Sequence, residues 1–307
     1  MKKKLTPILF VVVLILGIAV FPNRTPADTP ISANTAAAPA DNTASTTSDS
    51  EAGEPVQLHF LNVGQGDAEL ITSGDHAVLI DGGKQSAGDM VVDYLTRQGI
   101  TTLDAVIATH PHEDHIGGLV DVLDAMDVKA FYMSDEATDT KIYGKLLDAI
   151  ENEGITPEFP DINDTIPFTD TAKFTVLAPG PDAAETYSND MNTWSLVVRL
   201  DANGCRALFT GDTTKAVEQD MVQRDAEALN CDVLKVAHHG SRTSSCDEFI
   251  QAASPDYAVI SYAEGNSYGL PDEEIFDALK PFNTTIFETA KNGTVVLTLD
   301  NGEVTAA

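Results

Sequence analysis

Thr109-His110-Pro111-His112-Glu113-Asp114-His115-Ile116-Gly117-Gly118 is the stretch on which both the fold and the chemistry turn. It follows Leu103–Thr109, a short apolar run that reads as a buried strand, and it opens the helical pattern Ile116–Met126. Three imidazoles and a carboxylate within six residues, on a loop anchored at both ends, form a donor set able to close around metal. Nitrogen and oxygen donors without thiolate suit Zn2+, with Mn2+ and Fe2+ as alternatives. His110 and His112, two apart, can point the same way. Asp114 and His115 lie past the bend and can face a second position.

Outward from this loop, strand and helix patterns alternate. Strands are expected at Val56–Val63, Ala68–Thr72, Ala77–Asp81, Val128–Met133, Lys173–Ala178, Trp194–Asp201, Cys205–Thr210, Asp232–Ala237, Asp256–Ser261, Thr284–Phe287 and Thr294–Asp300. Helices are expected at Ser86–Gln98, ending at Gly99, at Lys141–Glu153, ending at Gly154, and at Thr214–Leu229, Asp247–Ala252 and Asp272–Leu279. Strand-rich and mixed segments in two rounds predict an α/β chain whose sheets pack together with helices outside.

The first 55 residues stand apart. Residues 1–21 join a basic start, Met1-Lys2-Lys3-Lys4, to an unbroken apolar run from Ile8 to Phe21, the pattern of an export signal. Gly17-Ile18-Ala19 offers a cleavage site; retained instead, the run would be a short N-terminal membrane anchor. Residues 22–55 are Pro, Ala, Thr, Ser, Asn and Asp with almost no large apolar side chain, which reads as a flexible tether. A domain at 56–307 on the extracellular face, secreted or held by the N-terminal segment, is the expected organisation.

Of 307 residues, 48 are acidic and 18 basic, a formal charge of −30, and only five of those acids precede Val56. So negative a surface repels phosphate backbones, which excludes tight non-specific nucleic-acid binding without metal ions or a local basic patch. Lys84, Arg242 and Lys291 are the cations available to line a cleft. Three cysteines, Cys205, Cys231 and Cys246, none in a CxxC pair, exclude a disulfide scaffold and a Cys-rich zinc module and read as small buried residues. Trp194 is expected in the core at the start of its strand.

His110-x-His112-x-Asp114-His115 after a buried strand resembles the second motif of the metallo-β-lactamase superfamily, and the rest of that signature follows in order. Leu79-Ile80-Asp81-Gly82-Gly83 resembles the first motif, Leu208-Phe209-Thr210-Gly211-Asp212 the segment of the bridging aspartate, and Val236-Ala237-His238-His239-Gly240-Ser241 that of the last histidine. More narrowly, His59-Phe60-Leu61-Asn62-Val63-Gly64-Gln65-Gly66-Asp67-Ala68 and Asn266-Ser267-Tyr268-Gly269-Leu270-Pro271 resemble the extracellular hydrolase domain of the competence-protein (ComEC) family. The resemblance implies a four-layer αββα sandwich with two divalent metal ions, Zn2+ first and Mn2+ second, at one rim.

It also implies residue roles. His110 and His112 would hold the first metal, Asp114, His115 and His238 the second, and Asp212 would bridge them. A water between two cations would be acidified to hydroxide near neutral pH, making Asp114, Asp212 and His239 the residues nearest the chemistry. His238 is preferred as ligand because it ends the apolar strand; His239 would support it or touch substrate. Asp81, Asp67, Asn192, Ser195, Ser241, Asn266 and Tyr268 would stand behind the ligands or contact substrate. Many superfamily members supply a further histidine before the bridging aspartate; Ser188–Ser195 here has none, so Asn192 and Ser195 are the substitutes. Leu270 likewise stands where the narrower pattern has histidine. A redox di-iron reading is disfavoured by His112, where such members carry a carboxylate. The activity implied is hydrolysis of a phosphoester, DNA or another extracellular phosphodiester. The alternatives are an amide, lactone or thioester hydrolase on the same site, or a metal-dependent binding module without turnover.

Overall fold

The computed structural model describes residues 53–180 and 190–307. The export segment and most of the tether lie outside them. Sixteen strands occur in this part of the chain: β1 (Val56–Phe60), β2 (Glu69–Ser73), β3 (His76–Ile80), β4 (Thr102–Leu103), β5 (Ala105–Ala108), β6 (Asp127–Val128), β7 (Phe131–Met133) and β8 (Thr165–Pro167), then β9 (Lys173–Ala178), β10 (Val197–Ala202), β11 (Cys205–Phe209), β12 (Val233–Lys235), β13 (Tyr257–Ile260), β14 (Thr285–Glu288), β15 (Val295–Asp300) and β16 (Glu303–Ala306). One seven-stranded sheet runs β16-β15-β1-β2-β3-β5-β7, the other β14-β13-β12-β11-β10-β9-β8; β4 and β6 form a small pair.

Alternation along the strands explains the layers. Val56, Leu58 and Phe60 of β1, Val78 and Ile80 of β3, and Cys205, Ala207 and Phe209 of β11 meet in one apolar cluster between the sheets. Leu79, Val106 and Ala108 face the other way, onto helices Gly88–Arg97, Leu119–Ala125 and Lys141–Asn152. Leu208 and Leu234 do the same toward helices Lys215–Asp225, Asp247–Ala253 and Glu273–Leu279. Three apolar layers between four structural ones make the αββα sandwich.

Strand direction then places the chemistry. β3, β5 and β7 are parallel neighbours, as are β11, β12, β13 and β14. Loops leaving the C-terminal ends of parallel strands share one edge, the usual place for a site in an open α/β sheet. Asp81, the 109–115 loop, Asp212, His238-His239 and Ser261 all lie on such loops.

Several boundaries depart from expectation. The run Leu103–Thr109 divides at Asp104, whose carboxylate turns aside to accept the Ala77 N–H at 3.1 Å and the Lys129 ammonium at 2.7 Å. Trp194 is half-buried in a 3₁₀ turn, Met191–Trp194, and its strand begins only at Val197. Asp190 caps that turn, accepting the Asn192 N–H at 3.1 Å, so the chain is not yet extended there. Strands β8 and β16 were not expected. The three cysteines are buried thiols, as read. Among the described residues no helix is long and apolar enough to cross a membrane.

His59 gives a stability test. Its ring is buried, with Nδ1 2.9 Å from the Tyr94 hydroxyl, and burial pushes its pKa down to about 4. The unfolded chain, with an ordinary imidazole, therefore takes up a proton that the fold refuses between roughly pH 6.5 and 4. His59 weakens the fold progressively as pH falls through that window. Thermal unfolding of His59→Gln should show a shallower loss of Tm between pH 7 and 5 than the parent; equal slopes would contradict this.

Candidate metal centre

Asp81 follows β3 with a left-handed backbone (φ 55°), a conformation that Asp and Asn adopt more readily than other side-chain-bearing residues. Its buried carboxylate accepts the Thr109 N–H at 2.8 Å, the Thr109 hydroxyl at 2.7 Å and His115 Nδ1–H at 2.7 Å. The last bond orients the ring so that Nε2 faces Asp212 Oδ1 at 3.3 Å. Because the Thr109 hydroxyl donates to Asp81, it accepts from His110 Nδ1, 3.1 Å away, and His110 Nε2 is directed into the site. That nitrogen lies 2.9 Å from His112 Nδ1 and 3.8 Å from Asp212 Oδ2.

Two donor groups result. His110, His112 and Asp212 form one, and Asp114, His115 and His239 the other, while a third set, Asp67, His115 and Asp212, overlaps both; within each, the ligand-type atoms lie within 4.8 Å of one another. Asp212 faces both, its Oδ1 3.3 Å from His115 Nε2 and its Oδ2 between His110 Nε2 at 3.8 Å and His239 Nε2 at 3.6 Å. His115 Nε2, His239 Nε2 and Asp212 Oδ1 are buried and find no hydrogen-bond partner among the described residues. Buried polar atoms are costly unless partnered, so converging unpartnered atoms of ligand type fit a divalent cation.

The electrostatics agree. Burial, with His115 adding to it, holds His110 well below the ordinary imidazole range. Burial also opposes charge on His115 and His239, but Asp212 overrides it with help from Asp81 and Asp67; His115 lies well above its ordinary value and His239 at about 10. For Asp212 and Asp114, burial favours the neutral form, yet His239 and His115 keep both carboxyls well below the usual range. The carboxylates dominate the local field.

The structure reverses the expected order of the last two histidines. β12 ends at Lys235, and His238 and His239 are both left-handed (φ 51° and 55°), so strand alternation does not extend to them. His239, its side chain 2% exposed, points inward with Nδ1 3.0 Å from the Ser261 carbonyl and Nε2 3.4 Å from Asp114 Oδ2. His238, 25% exposed, stands at the rim with Nδ1 3.1 Å from Thr243 Oγ1 and Nε2 3.7 Å from Asp212 Oδ2, and belongs to neither donor group.

The supporting residues divide. Asp67 Oδ1 is 3.3 Å from His239 Nδ1, and its N–H donates to the Asp114 carbonyl at 3.1 Å. Gly66 before it admits no side chain: a Cβ would lie 2.4 Å from that carbonyl. Ser195 accepts the Asp212 N–H at 3.1 Å, which ties the Met191–Trp194 turn to the site, and the buried Asn192 Oδ1 on that turn has no hydrogen-bond partner among the described residues. Ser241 bonds Thr243 at 2.9 Å behind His238. Asn266 is a loop builder, contrary to a role at ligands or substrate. Its amide donates to the carbonyls of Ala263 and Leu270, and its oxygen accepts the N–H groups of Tyr268 and Leu270. Tyr268 projects from that loop, 68% exposed, and touches no donor group.

Lys235 and Glu69, both fully buried, went unread. A lysine within the otherwise apolar Val233–Val236 was the available signal. Lys235 Nζ donates to Asp67 Oδ2 at 2.6 Å. Burial raises the Asp67 carboxyl, but Lys235 and His239 outweigh it and bring it down to about 2.

The chain belongs to the metallo-β-lactamase superfamily, whose family model matches residues 61–264. It is 33% identical over 258 residues to ComE operon protein 3 of Bacillus subtilis, covering 78% of this chain and 32% of that protein. To competence protein ComA of Neisseria gonorrhoeae it is 28% identical over 253 residues, covering 80% and 32%. The chain thus spans about a third of the length of these relatives. The metallo-β-lactamase fold protein YhfI from Bacillus subtilis shares the fold at a TM-score of 0.55 and 17% identity, covering 80% of this chain and 100% of that one. Zn2+-bound PqqB from Methylobacterium extorquens does so at 0.51 and 14%, covering 77% and 87%. The superfamily and competence-protein resemblances read from the motifs are both met.

Proposed function

We propose that this chain is a metal-dependent hydrolase acting on a phosphodiester with two divalent cations, Zn2+ first and Mn2+ as the alternative. The observation that carries the reading is Asp212, whose two oxygens face the two donor groups. When bound, a pair of such cations acidifies a shared water and clamps the attacking and leaving oxygens of an in-line displacement. His110, His112 and Asp212 would hold one ion, and Asp114, His115, His239 and Asp212 the other. Asp81 and Thr109 orient the imidazoles, and Asp67 supports His239. His238, at the rim beside Asp212, is placed to meet substrate or to pass a proton to the leaving group.

The names competence protein and recombination protein among the relatives point toward DNA. Charge argues for a short or small phosphodiester over a long polyanion, since Arg242 is paired with Asp272 and Glu274, and Lys291 with Glu288. The basic, apolar start of the chain supports export and tethering outside the cell, where such a substrate would be met. Metal-reconstituted protein should be screened against bis-p-nitrophenyl phosphate, linear DNA, a lactam and a lactone. Chelator-sensitive cleavage of the phosphodiesters is expected. Turnover of the lactam or lactone alone would redirect the chemistry to acyl groups, and two bound metals without turnover would make the chain a binding module.

Asn192 completes the proposal. Its unpartnered oxygen, on a turn bonded to Asp212, makes it the fourth donor for the ion at His110, His112 and Asp212, and an amide oxygen is a poorer zinc ligand than imidazole. Asn192→His should tighten zinc at that group by on the order of tenfold, about 1.4 kcal/mol. Calorimetric titration of apo-protein checks this, and an unchanged isotherm would place Asn192 away from the ion.

A further inference from the structure

Beneath the Asp114–His115–His239 group lies a buried ion pair that joins the two sheets. Lys235 closes β12 on the face that carries Val233 into the central cluster, and Glu69 opens β2 on the face that carries Ile71 there. Lys235 is 1% exposed, and its ammonium donates to Asp67 Oδ2 at 2.6 Å and to the Val236 carbonyl at 3.1 Å. Asp67, from the first sheet's β1–β2 loop, lies 168 residues away in sequence. Removing a lysine and a carboxylate from water is expensive, and apolar residues would hold a sandwich together as well. The position of Asp67 shows what the pair does. Its second oxygen faces His239 Nδ1 at 3.3 Å, its N–H grips the Asp114 carbonyl, and its carbonyl accepts the Gly83 N–H at 2.7 Å. Everything Lys235 fixes through Asp67 touches a residue of this donor group or the loop behind it.

We infer that Lys235 is a positioning residue for the metal held by Asp114, His115 and His239. By occupying one oxygen of Asp67 it holds the other 3.3 Å from His239 Nδ1, beside the Ser261 carbonyl 3.0 Å from the same nitrogen, and the two together set the ring with Nε2 toward the cation. This rests on reading those three residues as metal ligands. Partners of this kind behind a ligand set metal affinity by about 10- to 100-fold. A lysine present only to neutralise buried carboxylates would affect unfolding and leave metal binding alone.

The test is calorimetric zinc titration of metal-free protein in a His112→Ala background, where the second donor group reports by itself. Lys235→Met and Asp67→Asn should each weaken zinc about 10- to 100-fold, and the double variant should bind no worse than the weaker single, because both act through one bond. Unchanged affinity in either folded single variant, or losses that add in the double, would overturn the inference. So would tighter binding in Lys235→Met, which would make Asp67 itself a ligand freed from its lysine. If Lys235→Met does not fold, Asp67→Asn decides alone. No zinc uptake by the Lys235 parent would overturn the metal reading, and this inference with it.

Discussion

Asp114→Ala is expected to lose hydrolysis by at least about 10³-fold, or about 4 kcal/mol of transition-state stabilisation, while keeping its fold. Asp114 is 23% exposed, its carboxylate 3.4 Å from His239 Nε2, so it contributes to the donor group and little to the core. Without it, a cation at this group would keep only His115, His239 and a shared Asp212 as donors, and the water acidification that such an ion would supply should be lost. Steady-state rates on bis-p-nitrophenyl phosphate beside a thermal unfolding curve make the measurement. Retention of most activity would remove Asp114 from the site.

Asp81→Ala should act on stability and metal together. The carboxylate accepts three hydrogen bonds in a fully buried position, and its loss leaves the Thr109 N–H and His115 Nδ1–H without acceptors. Each orphaned buried group costs about 1–3 kcal/mol, so urea unfolding of metal-free protein should show a loss on the order of 3 kcal/mol or more. Zinc affinity should fall by about 10- to 100-fold, since His115 is no longer held with Nε2 toward Asp212. A loss below about 1 kcal/mol with unchanged zinc binding would reduce Asp81 to an ordinary turn residue.

What the sequence revealed of this site follows from how its parts are strung. His110, His112, Asp114 and His115 were legible because four donors fall in one loop between a buried strand and a helix. Asp81 and Asp212 were legible through the glycines beside them, which mark the sharp exits from β3 and β11. The sandwich followed from the order of strand and helix patterns, and its three cores from the alternation within each strand. His239 was misplaced because alternation was carried past the end of β12. Two successive left-handed residues there turn the chain, and no periodicity encodes such a turn. Asn266 was read as standing behind the ligands or contacting substrate because hydrogen bonds within its own loop leave no trace in spacing. Lys235 and its partner Asp67 form a unit only when the two sheets close, which local pattern cannot show.

The central claim is a pair of cations sharing Asp212. The most direct test is to count them: titrate chelator-stripped protein with zinc by isothermal calorimetry and confirm the number by native mass spectrometry. Two ions per chain are expected, the weaker of them at His110 and His112, and Asp212→Ala should weaken both. One ion or none, or an Asp212→Ala variant that binds both as tightly as the parent, would contradict it.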